Sequence, residues 1–442
     1  MLETNPFADG SDASFTRFLF RPYLDFGGAD LRAPHHVVGL HFAIRAVLDE
    51  RDYPHLQASM NPSFRDLLLR SVQPMAGDVK THDLDGSGPN DGPARRIIGL
   101  CSSFAAQDQV TQRRVAWILI KAGFHAPAEA LLARVAAPTR EPSPEQADLS
   151  FALVYARYRQ FVDEPQRDYS PAEFATIAEH APPGIARVDA SYQVVVQAVK
   201  HRADVEAAEA WQMRHLAAIE QSDPMLSAFQ RLFVRSRFHR VGAFIPQIRG
   251  QPERLRAEMD EAERLARAIP RSDVIGRVAA DEVLFPVLES RTREALALGE
   301  CGRALSHATE LVRLSPSDAR AWLLLGEVAL ENGLREQAIH AYGRARWFAP
   351  PGRDIAAFML AQCLDANGDI EAATGALLDS VAVDPLGISA IDALVDRVEQ
   401  LDNSLLGQWI CARAQALHDL RERPLVRQAW PYKQLPPIAT KP

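Results

Sequence analysis

The decapeptide DLDGSGPNDG sets Asp83, Asp85, Ser87 and Gly88 at the first, third, fifth and sixth places of a loop pattern that holds Ca²⁺ through oxygen ligands. The twelfth place, where a bidentate carboxylate completes such a site, is Ala94, and no helix signal leads into the loop. The segment therefore reads as a loop whose Gly and Asp residues serve turn geometry. A second cluster, His35, His36 and His41 with His55 downstream, supplies imidazoles of the kind that bind transition metals. His36 and His41 are five apart, a poor spacing for one helical face, and no H-E-x-x-H arrangement is present. Capping and packing account for them. Nucleophilic chemistry lacks a setting as well. There is no G-x-S-x-G turn and no glycine loop for phosphate, and DFGG at 25–28 stands without the companion motifs a kinase needs. No catalytic residue, metal ligand or cofactor contact is assigned, and the chain is expected to do no chemistry itself.

Charge narrows the partners. With 57 acidic against 49 basic residues in 442, the net charge of −8 provides no general field toward nucleic acid or an anionic membrane, so nucleic acid is disfavoured. The stretch 231–256 carries seven arginines with Phe233, Phe238 and Phe244 interleaved, a composition that grips phosphates or an acidic peptide. A solvated arginine face over a phenylalanine core is the preferred reading. Cys101, Cys301, Cys363 and Cys411 lie far apart without zinc or dithiol spacing, and are expected to be free thiols in a reducing cytoplasm. The N-terminus lacks a basic start followed by an apolar run, and no apolar stretch reaches membrane-spanning length, so a cytoplasmic protein with no membrane contact is expected.

The elements that would position any binding side chains are helices. From about residue 34 onward, apolar residues recur at three and four, as in HHVVGLHFAIRAVLDE and PERLRAEMDEAERLARAI, while strand-like alternation is almost absent. An all-α fold follows. Pro316, Pro350 and Pro385 are spaced by 34 and 35 residues, and each is preceded by a segment that opens with glycine and carries alanine five residues later. The pairs are Gly299 and Ala304, Gly333 and Ala338, Gly368 and Ala373, with Gly123 and Ala128 at the same spacing upstream. The middle copy adds Trp322, Leu325, Gly326, Tyr342 and Ala345.

This pattern resembles the tetratricopeptide repeat (TPR), a helix-turn-helix unit of 34 residues with W-x2-L-G-x2-Y, A-x3-F and a closing proline. It departs at Ala329, where the repeat has tyrosine; Leu288 and Thr292 replace the tryptophan and glycine in the first copy, Ala357 and Ala361 in the third. The resemblance implies an α-solenoid in which small residues such as Gly326, Ala338 and Ala345 allow close helix contact. It also implies a concave groove for a protein or peptide, lined by Glu289 and Arg293 in the first copy, Arg320, Leu323 and Glu327 in the second, and Ile355, Phe358 and Gln362 in the third. The lysine and asparagine clamp by which some family members hold a terminal carboxylate is missing from these positions.

The expected organisation is an N-terminal helical region over 1–107 with a loop near 75–95, irregular helical hairpins over 108–284 with degenerate repeats as the alternative, three TPR-like repeats over 285–387, capping helices over 388–422, and a proline-rich tail over 423–442. The aromatic start FTRFLFRPYLDF is read as a cap on the first helices, and Trp430 and Tyr432 of the tail as possible plugs of the groove. The leading function is a non-catalytic scaffold or adaptor that binds protein or peptide. An accessory subunit with a ligand or catalytic site in residues 1–284, and a peptide-sensing regulator, remain as alternatives. The sequence leaves the oligomeric state open.

Overall fold

The computed structural model describes residues 99–121, 125–136, 142–163, 170–272, 274–315, 318–347, 353–383, 388–398 and 404–421. The calcium-like loop, the histidine cluster, DFGG, the aromatic N-terminal strip, Gly123, the three spacing prolines and the tail with Trp430 and Tyr432 lie outside them.

Helices pair in chain order, each with its neighbour along the chain. Helix α1 (Gln109–Lys121) packs on α2 (His125–Leu132), α3 (Pro144–Asp163) on α4 (Ala172–His180), and α5 (Ile185–Gln197) on α6 (Val205–Ser222). Helix α7 (Ala228–Gly242) packs on α9 (Pro252–Arg267), with the short α8 (Phe244–Ile248) in the connection. The series continues with α10 (Val274–Ala297) on α11 (Cys301–Leu314) and α12 (Ala319–Glu331) on α13 (Arg335–Trp347). It closes with α14 (Arg353–Ala366) on α15 (Ile370–Val383) and α16 (Ile388–Val395) on α17 (Ser404–Arg421). Each second helix also packs on the first helix of the next pair, and first helices touch their successors from α1 through α12. Contacts restricted to neighbours in this way define a solenoid. The fold is all-α, a TPR-like array of helical hairpins, with no strand among the described residues.

Residues 108–284, expected to hold irregular hairpins or degenerate repeats, contain helix pairs that pack on one another in chain order. The boundary expected at 284/285 falls inside α10, a helix that begins at Val274 and carries Pro286 in its interior.

The recurrent glycines have a common geometry. Gly299, Gly333 and Gly368 adopt φ of 72°, 71° and 83°, the left-handed turn that ends a helix and that glycine enters without a Cβ clash. The alanines five residues later, Ala304, Ala338 and Ala373, are wholly buried where the second helix meets its neighbours. The same device runs upstream with other residues. Ala203 takes the left-handed turn at φ 51° and is followed by the buried Ala208; Gly250, at φ 65°, is followed by the buried Leu255.

Gly326 has a different role. A Cβ built there would lie 2.6 to 2.8 Å from three ring atoms of Tyr342 on the paired helix α13. Helix interiors disfavour glycine by about 1 kcal/mol relative to alanine. Here the missing methyl is the space the tyrosine ring fills, and Tyr342 is buried as a result. The core is handed along in this manner: Ala321, Leu324 and Val328 of α12 pack with Leu288 and Leu311 behind them, while Ala329 joins Tyr342 and Leu360 ahead.

Candidate binding surface

The first helix of each pair carries one stripe of side chains at spacings of three and four, and interactions between stripes show which face they share. At the N-terminal end this face is filled. Tyr155 of α3 packs 5.5 Å from Trp117 of α1, and Phe151 and Tyr158 lie 5.6 and 5.9 Å from Phe174 of α4, measured between ring centres. Burial pushes the phenols of Tyr155 and Tyr158 up, as expected of hydroxyls cut off from water.

The centre is charged. Arg237 of α7 donates from Nη1 to Oδ1 of Asp189 on α5 at 2.6 Å, and both are buried. Its guanidinium lies 3.7 Å from the Tyr192 ring centre and 4.9 Å from that of Phe233. Burial raises the Asp189 carboxyl to about 6 against the pull of Arg237. One turn on, Arg240 donates from Nη2 to the Tyr192 hydroxyl at 3.0 Å. Burial alone would raise that phenol, but Arg240, Arg237 and Lys200 together overcome it and bring it down to about 8.

Lys200 follows α5 on a π-helical turn, Ala198–Arg202, closed by the left-handed Ala203. The turn widens the last residues of the helix before the chain reverses into α6. Lys200 is exposed along its length, its ammonium stands 5.2 Å from the Phe244 ring centre, and it makes no ion pair with a described carboxylate. Loss of hydration and then the charge of Arg240 lower its pKa, Arg293 adds to this, and Tyr192 and Glu289 oppose it. Helix α7 packs on both α5 and α10, so the charges of Glu289 and Arg293 act on Lys200 across one helix.

The residues expected to line the groove are placed as follows. Glu289 and Arg293 stand one turn apart on α10, and Arg293 also pulls on Glu327 of α12, whose carboxyl is raised by burial. None of these three is held in an ion pair with another described residue, in contrast to Arg320. That guanidinium contacts Asp318, the N-cap of its own helix, through Nε and Nη2 at 3.1 and 2.7 Å, and lies 4.9 Å from the Phe285 ring centre. Arg320 is thus a structural tie more than a free contact. Leu323 and Phe358 are half-buried against the same core cluster, and Ile355 and Gln362 are half-buried on the stripe of α14. Trp322 turns away, meeting His340 at 5.8 Å and Arg344 at 5.6 Å on α13.

The arginine-rich stretch is mostly paired within the protein. Arg231 and Arg235 meet Asp223, Arg249 meets Glu209, and Arg256 meets Glu300. Phe233 is buried beneath it, but Arg237 departs from the solvated face expected, being itself buried. Asp189, Tyr192, Lys200 and Arg240 were not singled out by motif. One signal pointed to the region: Lys200 is the only lysine between Lys121 and Lys433, in a chain whose other cations there are arginines.

Groups outside this face are set for packing. His215 has its Nδ1 2.8 Å from Ser191 Oγ, but both are buried, and burial holds the imidazole neutral down to about 3. Burial raises the thiols of Cys101 and Cys363 to about 12 and about 11, the reverse of an activated nucleophile. Among the described residues no group of three or more His, Cys, Asp or Glu is placed to hold a metal ion, and no helix is long and apolar enough to cross a membrane.

No protein-family model matches the chain, and no curated protein matches it in sequence. Solved helical structures do. The human IFIT1 dimer with PPP-AAAA is 12% identical over 93% of this chain and 91% of its own, with a TM-score of 0.47. MamA is 19% identical over 39% of this chain and 94% of its own, with a TM-score of 0.29. Cut9, solved with Hcn1 as an APC/C hetero-tetramer, is 11% identical over 88% of this chain and 96% of its own, with a TM-score of 0.26. With similarity this distant, the fold assignment rests on the helix pairing itself.

Proposed function

We propose that the chain is a non-catalytic scaffold of the TPR family, acting in the cytoplasm, whose first-helix face receives an extended segment of a partner protein. The observation that carries this reading is the make-up of that face from α10 to α14. It offers Glu289, Arg293 and Glu327 without ion-pair partners beside the half-buried Leu323 and Phe358. Charges left open fix the register of a ligand, and the partly covered apolar side chains provide the area it buries. The last pair, α16 and α17, closes the array at its C-terminal end.

The test is calorimetric. A partner captured with the wild type is produced as overlapping peptides, and binding is measured for the wild type and for Leu323→Ala with Phe358→Ala, after circular dichroism shows the variant folded. A peptide that binds with a negative heat-capacity change and is lost by the variant supports the reading. Equal binding by the two proteins removes it.

A further inference from the structure

We propose that the outer face of α17 is an interface at which a second copy of this chain docks, helix against helix, about a two-fold axis. The proposal stands apart from the binding face of α10 to α14. Helix α17 packs extensively on α16 alone among the described helices. Its buried side carries Gly407, Ile410 and Ala414, and Gly407 lies so near Val398 that a Cβ there would stand 2.8 Å from the valine Cγ1. On the opposite side Leu405, Trp409, Ala412 and Ala416 recur at four, three and four. All four are exposed, Leu405 at 74% and Trp409 at 46%. Gln408 and Gln415 flank them, so no exposed side chain from Leu405 to Ala416 is charged. Helix α9, by contrast, shows Glu253, Arg254, Asp260, Arg264 and Arg267 to solvent. A terminal pair needs a polar outer face to keep a solenoid soluble, and a helix apolar on both sides belongs in an interior.

The stripe is complementary to itself. Its bulk lies in the first half, at Leu405 and Trp409, and its small residues in the second, at Ala412 and Ala416. An antiparallel pair centred between Ile410 and Cys411 sets Trp409 against Ala412 of the second copy and Leu405 against its Ala416, twice over by symmetry. Large on small at each step keeps the two axes an even distance apart, about 8–10 Å. A parallel pair would stack Trp409 on Trp409 and leave a gap between the alanines, against the close packing that interfaces require. Helix α17 has 18 residues and a length of about 27 Å. Such a pair covers about 500–600 Å² on each copy, close to the total of about 1,200 Å² at which specific interfaces begin. The consequence is a dimer in equilibrium with its monomer at micromolar concentration. Residues 422–442 are the rival occupant, but their five prolines make another helix there unfavourable.

Sedimentation equilibrium of the full chain from about 1 to about 100 µM tests this. The wild type should pass from monomer to dimer across that range. Trp409→Glu and Ala412→Lys each place two like charges near the axis, and each should weaken association about a hundredfold. Both positions are exposed, so circular dichroism and the melting temperature should stay as in the wild type. Mixed in equal amounts, the two variants should regain at least about tenfold, because the new acid of one copy then faces the new base of the other. Glu253→Lys on α9 should leave the dimer unchanged. A mixture that associates no better than its separate components overturns the two-fold pairing. A wild type that stays monomeric throughout, or a dimer indifferent to Trp409→Glu, overturns the proposal, and the face then belongs to residues 422–442 or to another protein.

Discussion

Arg237 joins α7 to α5 by a contact of 2.6 Å to Asp189, made where neither side chain meets water. Buried ion pairs add little net stability, yet leaving one member alone is costly. Arg237→Met by itself should destabilise the protein by about 3–5 kcal/mol in urea unfolding, while Arg237→Met with Asp189→Leu should recover most of that. The single variant's loss should shrink from pH 8 to pH 5, as the abandoned carboxyl takes up a proton. A double variant as unstable as the single would contradict the account.

Gly326 is fitted to Tyr342 by the lack of a methyl. Gly326→Ala should cost about 1–3 kcal/mol despite alanine's better helix propensity, because the ring has no room to retreat. With Tyr342→Leu in the same chain, the two costs should fall short of their sum. Thermal unfolding of the four proteins measures this, and an additive result would mean that the two positions are not in contact.

Ala203 holds the left-handed turn that glycine holds in other pairs. Relief of the Cβ clash outweighs the added freedom of the unfolded chain, so Ala203→Gly should raise stability by about 0.5–1 kcal/mol. Chemical denaturation detects that gain; a loss would show that the turn is unstrained.

Tyr192 should ionise near pH 8 in the folded chain and near its ordinary 10 when unfolded. Unfolding between those values takes up a proton, so stability rises as pH goes from about 8 to about 10, by about 2–3 kcal/mol. Tyr192→Phe should abolish the rise. Phenolate absorbance on alkaline titration reports the ionisation directly, and a first tyrosine step near 10 would refute it.

The array was legible where its residues kept their types. Gly299, Gly333 and Gly368 announce the turns because glycine accepts a left-handed backbone freely, and the alanines after them mark the close contacts. Upstream the same geometry is built from Ala203 with Ala208 and from Gly250 with Leu255, at a cost small enough for a stable core to absorb. Spacing alone therefore did not register residues 145–284. The binding face divides in a similar way. Glu289, Arg293 and Glu327 follow from helical periodicity, but nothing local links Lys200 to Arg293, 93 positions later, whose charge acts on it across α7.

Because each hairpin touches only its neighbours, small rotations at successive junctions add up along the chain, and the protein behaves as a spring. A segment lying across several first helices would tie those junctions to one another, making the elasticity of the array a readout of its occupancy.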